Sequence, residues 1–280
     1  MIYHAKNAVV SIGDTVMEYI RFGNGPKTLV MLPGLGDGLR TMKGTALPMA
    51  VMYRAFAKDY TVYAFSRRSA LPEGFTIRDM AEDQKTAMDQ LGIAKADILG
   101  VSMGGMIAQQ LAAAYPERVG KLVLVVTCAR ANPILVDTVK LWMAQAKAGD
   151  HTALMDSNLR LIYSDGYYRA NQWMIPLIGK LTKPKSYDRF LIQAEACLNH
   201  NSFHLLPEIQ ADTFVIGGEE DQCLGGDASR EIAGEIPGAM LKMYPEWGHG
   251  LYEEAKDFQQ TVLDFLRKSM SVNKNASMSK

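Results

Sequence analysis

Ser102 lies in the stretch Gly100-Val101-Ser102-Met103-Gly104-Gly105, whose residue types and spacing can turn a serine hydroxyl into a nucleophile. An apolar run from Ala96 to Leu99, broken only by Asp97, precedes this Gly-x-Ser-x-Gly, and a helix-forming segment from Met106 to Tyr115 follows it. The pattern is that of an elbow, in which a strand ends, the chain turns too tightly for much side-chain volume, and a helix starts at once. Such a turn lifts the Ser102 hydroxyl out of the sheet edge. It also places it at a helix N-terminus, where free N–H groups and the positive end of the dipole favour developing negative charge. One stretch thus offers a nucleophile and half of an oxyanion site.

A serine hydroxyl is a weak nucleophile at neutral pH, so this chemistry needs a base within hydrogen-bond reach and a carboxylate to orient that base. Of the five histidines, only His249 stands in a glycine-flanked loop (Trp247-Gly248-His249-Gly250) just past an expected strand, Met240 to Tyr244. His151, His200 and His204 fall in or beside a helical stretch, and His4 is near the N-terminus. For the carboxylate, Asp221 follows the apolar strand-like run Thr213 to Ile216 in the loop Gly217-Gly218-Glu219-Glu220-Asp221. Glu219 and Glu220 are either solvated loop charges or rivals for its role. The chain order Ser102, Asp221, His249 is one of the known orders for a serine–histidine–acid constellation.

The elements that must carry these residues alternate in type. Ala8 to Phe22 reads as a strand pair turning at Gly13-Asp14, and Thr28 to Leu32 as a buried parallel strand. A helix from Pro48 to Lys58 and a strand from Thr61 to Phe65 come next. Thr76 then caps a helix that runs to Leu91, with Gly92 as its stop. After the elbow and its helix, Lys121 to Val126 is another strand. The later part adds the Thr213 strand, a helix from Asp227 to Ile236, the Met240 strand and an amphipathic helix from Phe258 to Met270. The alternation predicts an α/β fold, a mostly parallel sheet with helices on both faces, whose ligands gather at the carboxyl ends of the strands. The loop Gly34-x-Gly36-x-Gly38 has neither the Gly-Lys-Ser/Thr of a phosphate-binding P-loop nor dinucleotide spacing, so it is expected to approach a substrate oxygen through its backbone.

Between the sheet-forming parts, residues 131–203 lack strand-like runs and carry Trp142, Tyr163, Tyr167, Tyr168 and Trp173. They read as a helical insert. Residues 1–130 and 204–270 would then form the core, and 271–280 a polar, flexible tail. The aromatics of the insert either pack it onto the core or line an apolar pocket above Ser102. Tyr163, Tyr167, Tyr168 and Trp173 are the candidates for the second role.

The set Leu32-Pro33-Gly34-Leu35-Gly36, Gly100 to Gln109, Tyr115-Pro116-Glu117-Arg118-Val119, Gly218-Glu219-Glu220-Asp221 and Gly248-His249-Gly250 resembles the α/β-hydrolase superfamily over roughly residues 10 to 268. The resemblance implies Ser102 as nucleophile, His249 as base and Asp221 as orienting acid. It implies an oxyanion hole from the backbone N–H groups of Leu35 and Met103, and a cap, or lid, formed by the insert. The chain departs from that family at Pro33-Gly34, where His-Gly is usual; the donor amide belongs to Leu35, so the hole should survive with altered surroundings. The expected activity is hydrolysis of a small uncharged carboxylic ester or related acyl compound through an acyl-enzyme. A carbon–carbon bond hydrolase, a cofactor-free perhydrolase and a non-enzymatic ligand-binding protein with a relic triad are the alternatives on this scaffold.

Composition bounds the remaining possibilities. The chain has 280 residues, enough for one large α/β domain, with 48% hydrophobic and 21% charged residues. Thirty basic residues balance 30 acidic ones, which favours neither nucleic acid nor an anionic membrane as partner. The three cysteines, Cys128, Cys197 and Cys223, form no metal-type or disulfide-type spacing, so neither cofactor nor metal is expected. The N-terminal residues lack a basic-then-apolar leader and no window approaches 18 apolar residues, which points to a cytoplasmic protein with a small-molecule substrate. The oligomeric state is not encoded in any of these signals.

Overall fold

The computed structural model describes residues 2–268. Strands β1 (Lys6–Ile12), β2 (Thr15–Phe22), β3 (Lys27–Leu32), β4 (Tyr60–Arg68), β5 (Ala96–Val101), β6 (Val119–Val125), β7 (Asp212–Gly218) and β8 (Met240–Tyr244) form an 8-stranded sheet in the order β1-β2-β4-β3-β5-β6-β7-β8. β1 pairs with β2, and β2 with β4, in antiparallel fashion, and every later pairing is parallel. The parallel strands are the continuous apolar runs of the sequence because both of their faces are covered. Leu29 and Met31 join one buried cluster while Val30 and Leu32 join the other, as the two-residue period of a strand requires.

Helices α2 (Ile77–Gln90), α3 (Met103–Ala114), α9 (Asp227–Glu235) and α10 (Phe258–Arg267) bury apolar stripes on the sheet. Thr76 caps α2 in a reciprocal box: its hydroxyl accepts from Asp79 N–H at 3.1 Å and its own N–H donates to Asp79 at 2.9 Å. Helix α1 (Ala46–Met52) starts two residues earlier than expected, since Pro48 is tolerated in a first turn, and a 3₁₀ turn at Arg54–Phe56 completes that segment. The end of the expected closing helix, Met270, and the expected tail, 271–280, lie outside the described residues.

Between β6 and β7 the chain forms α4 (Pro133–Lys147), α5 (His151–Ile162), α6 (Asp165–Asn171), α7 (Ile175–Leu181) and α8 (Asp188–Leu198). Its one sheet-like contact among the described residues is an isolated bridge between Arg130 and Asn201 that closes the neck of the insert. Parallel strands put the loops after β3, β5, β7 and β8 on the same sheet edge. Leu35, Ser102, Asp221 and His249 stand in those loops.

Candidate active site

Ser102 has φ 54° and ψ −122°, a backbone conformation that costs a non-glycine residue about 1–3 kcal/mol and persists only where its surroundings impose it. They do so here. Ser102 N–H donates to Val125 C=O at 2.9 Å, locking the turn to the end of β6. Its own C=O accepts from Thr127 Oγ1 at 2.7 Å and from Gly105 N–H at 2.8 Å. A Cβ on Gly104 would lie 1.9 Å from Leu32 C=O and one on Gly100 would lie 2.5 Å from Gly104 C=O, so glycine alone fits where α3 meets the tips of β3 and β5.

Asp221 lies three residues beyond the end of β7 and is 7% exposed; His249 is 5% exposed. His249 Nδ1 donates to Asp221 Oδ2 at 2.8 Å. The other oxygen, Oδ1, accepts from Cys223 N–H at 2.8 Å and Leu224 N–H at 3.0 Å, so the carboxylate is pinned by its own loop before it meets the imidazole. That arrangement keeps the proton on Nδ1 and leaves Nε2 as a free acceptor. A Cβ on Gly218 would meet Trp247 C=O at 2.2 Å, and this close approach brings the His249 loop against the end of β7. Glu219 turns away to pair with Arg230, and Glu220 is exposed.

Two of the other histidines are held by partners of their own. His151 Nε2 meets Thr182 Oγ1 at 3.0 Å, and His200 Nε2 meets Ser202 Oγ at 3.2 Å beneath the neck of the insert. Burial holds both below the usual histidine range, His200 at about 4, so they stay neutral.

Leu35 opens a one-turn 3₁₀ helix, Leu35–Gly38, and Met103 opens α3. Both N–H groups are first-turn donors without a partner inside their helix. Gly34 sits so close to Ser102 that a Cβ there would lie 3.3 Å from the serine Cβ. Gly34, Leu35 and Ser102 share a cavity of about 330 Å³ with His249. Its core-side wall is Met31, Met42, Met49, Met52, Tyr53, Ala64 and Leu99, and its roof is Trp142 from α4, Asn158 and Ile162 from α5, and Phe190 from α8. Arg40 is, His249 apart, the basic residue on this lining among the described residues, and it is exposed.

The four aromatics expected to line the pocket do not. Tyr163 donates from its hydroxyl to Glu253 at 2.8 Å and stacks on Tyr167 at a centroid distance of 4.4 Å, backing the segment that follows His249. Tyr168 donates to Asp156 at 2.8 Å, and Trp173 is 73% exposed. The expectation failed because Tyr168 spends its hydroxyl on Asp156, off the lining, and Tyr163 stands behind Glu253, which accepts its hydroxyl and itself lines the cavity. The methionines that replace them gave one signal in the sequence, their abundance, 17 in all, but methionine reads first as core filler.

Asp221, Cys223 and His249 also offer three ligand-type atoms within 4.8 Å of one another. Burial, and then the Asp221 charge, push the Cys223 thiol well above its ordinary range, so it stays a protonated, poor ligand, while Asp221 and His249 are spent on each other. The donor chemistry suits a hydrogen-bonded acid–base pair better than a metal. All three cysteines are free and buried.

A family model described as the alpha/beta hydrolase fold matches residues 27–256. A 2-hydroxy-6-oxononadienedioate/2-hydroxy-6-oxononatrienedioate hydrolase of Paraburkholderia phymatum is 30% identical over 89% of this chain and 90% of its own. Among solved structures, an alpha/beta hydrolase enzyme from a Medee basin deep-sea metagenome library superposes with a TM-score of 0.83 at 26% identity, covering 95% of this chain and all of that one. An enol-lactonase from Burkholderia xenovorans gives 0.79 at 23% identity over 93% of this chain, a likeness of fold.

Proposed function

The chain belongs to the alpha/beta hydrolase fold family, and from that premise we propose that it is a serine hydrolase cleaving a small, uncharged carboxylic ester through an acyl-enzyme. The observation that carries this reading is the pinned Asp221–His249 pair facing the same cavity as a strained Ser102. In it, His249 Nε2 takes the Ser102 proton as Oγ attacks the carbonyl. Asp221 holds the ring in the right tautomer and stabilises the imidazolium. The Leu35 and Met103 N–H groups receive the oxyanion, the leaving alcohol takes the proton back, and water repeats the cycle on the acyl-serine. The methionine-lined wall suits a flexible apolar acyl chain, since thioethers adapt to shape without asking for a hydrogen bond. The insert, residues 131–203, acts as a cap that selects substrate by roofing the cavity with α4, α5 and α8. Buried free thiols fit a reducing compartment such as the cytoplasm. No helix among the described residues is long and apolar enough to cross a membrane.

The named substrate of the curated relative supports a second reading. That compound carries a ketone and two carboxylates but no ester, so its hydrolysis breaks a carbon–carbon bond beside the ketone. Arg40 on the cavity lining is the cation that would meet such a carboxylate here. A panel of p-nitrophenyl esters of graded chain length, run beside a 2-hydroxy-6-oxo-dienoate, separates the readings. The ester reading expects a stoichiometric p-nitrophenol burst followed by turnover. Turnover of the dienoate alone would replace it with the second.

A further inference from the structure

The loop that carries Leu35 is held by a buried charge cluster of its own. Asp37, 3% exposed, accepts at Oδ2 from Arg67 backbone N–H at 3.0 Å and from Arg189 Nη2 at 2.6 Å, and its C=O accepts from Arg189 Nη1. Arg189 lies in α8, within the insert, and also donates to Arg67 C=O at 3.0 Å and Arg68 C=O at 3.3 Å. Arg67, 1% exposed at the end of β4, donates from Nη2 to Pro33 C=O. Asp37 N–H in turn donates to Gly34 C=O at 3.2 Å.

The last bond matters most, because Gly34 C=O and Leu35 N–H belong to one planar peptide unit. Fixing the carbonyl fixes the direction in which the amide points. Arg67 holds the preceding carbonyl, Pro33, so both peptides leading to Leu35 are clamped from this cluster. The Arg189 guanidinium pairs with the Asp37 carboxylate while the buried Arg67 guanidinium is held on Pro33 C=O, so a net positive charge stands behind a loop that must accept an anion. A second contact binds the loop to the insert: a Cβ on Gly38 would lie 2.7 Å from Phe190 Cα, so the backbone of α8 rests directly on this turn. Phe190 itself lines the cavity.

We propose that Asp37, Arg67 and Arg189 are positioning residues that set the oxyanion-binding amide of Leu35, and that the seating of α8 on the loop thereby adjusts catalysis as well as substrate choice. This rests on the serine-hydrolase reading. A positioning role affects the tetrahedral state more than the planar ground state. The test compares wild type with Arg189→Met, Arg189→Lys and Gly38→Ala on one p-nitrophenyl ester. It measures the acylation burst rate per active site, KM, and inhibition by a trifluoromethyl ketone, which forms a tetrahedral adduct, and by the corresponding methyl ketone.

For Arg189→Met the expected result is acylation slowed by about tenfold or more, part of the 10²- to 10³-fold loss that removing an oxyanion donor causes. Trifluoromethyl ketone inhibition should weaken in proportion, while KM and methyl ketone inhibition move by less than about twofold. Arg189→Lys should recover part of the loss. If Arg189→Met does not fold, Gly38→Ala carries the test with the same pattern of readouts. Trifluoromethyl ketone affinity unchanged per active site, or a loss confined to KM, would overturn the inference. A wild-type protein with no burst at all would instead sink the serine-hydrolase reading beneath it.

Discussion

The sheet edge and the helical insert meet across one cavity, yet they build it by different rules. At the edge, each functional position is enforced by the backbone. Gly104 and Gly218 stand where a Cβ would strike a carbonyl at 1.9 and 2.2 Å, Ser102 is held at φ 54°, and Asp221 is pinned by two N–H groups of its own loop. In the insert, one backbone contact of this kind, Gly38 against Phe190 Cα at 2.7 Å, seats α8, and elsewhere packing decides which side chains face Ser102. Trp142, Asn158, Ile162 and Phe190 do so because of how α4, α5 and α8 pack, while Trp173 ends in solvent. Chemistry placed by backbone tolerates little variation, and selectivity placed by packing can vary freely.

The largest test of this contrast is Ser102→Ala, expected to leave the fold intact and to lower turnover by about 10⁴-fold or more. Near-normal activity in a protein free of contaminants would remove Ser102 from the account. The acid comes next. Asp221→Asn should lower kcat by about 10³- to 10⁴-fold by spoiling the histidine tautomer, whereas Glu219→Gln and Glu220→Gln should change it by less than about tenfold, since exposed pairs are worth only ~0–1 kcal/mol. A Glu variant as damaged as Asp221→Asn breaks the assignment.

Glycines sharpen the same comparison on stability. Gly104→Ala, forced against Leu32 C=O, should cost about 2–3 kcal/mol in denaturant unfolding. Gly166→Ala in α6, whose nearest neighbour would be Ser164 Oγ at 3.9 Å, should be neutral or stabilising by up to ~1 kcal/mol. Equal losses at both sites would mean the insert is as rigidly specified as the edge. The smallest expected effect concerns selectivity. Met49→Ala and Phe190→Ala should each shift the ranking of acyl chain lengths by about tenfold, as removing apolar contact from a pocket does, and Tyr167→Ala and Trp173→Ala by less than about twofold.

The same division decided what could be read before the fold was known. The parallel strands, the elbow, the Thr76 cap and the loops holding Asp221 and His249 follow from local rules: continuous apolar runs, glycine where no Cβ fits, a hydroxyl ahead of a helix. That residues 131–203 are helical was equally local. Which of their side chains point inward was not, because it depends on the angles at which helices cross, and aromatic content misled: Tyr168 donates to Asp156, and Tyr163 stands behind Glu253, which lines the cavity in its place. The Asp37–Arg189 contact spans 152 positions of sequence and carries no local signature.

The central claim is that Ser102 becomes acylated. It is tested most directly by mixing the protein with an activated ester, quenching in acid within the burst, and mapping the peptide masses. The account predicts one acyl group per chain, located on Ser102 and absent from Ser102→Ala. An adduct on another residue, or steady turnover with no acylated peptide under conditions where the burst is stoichiometric, would contradict it.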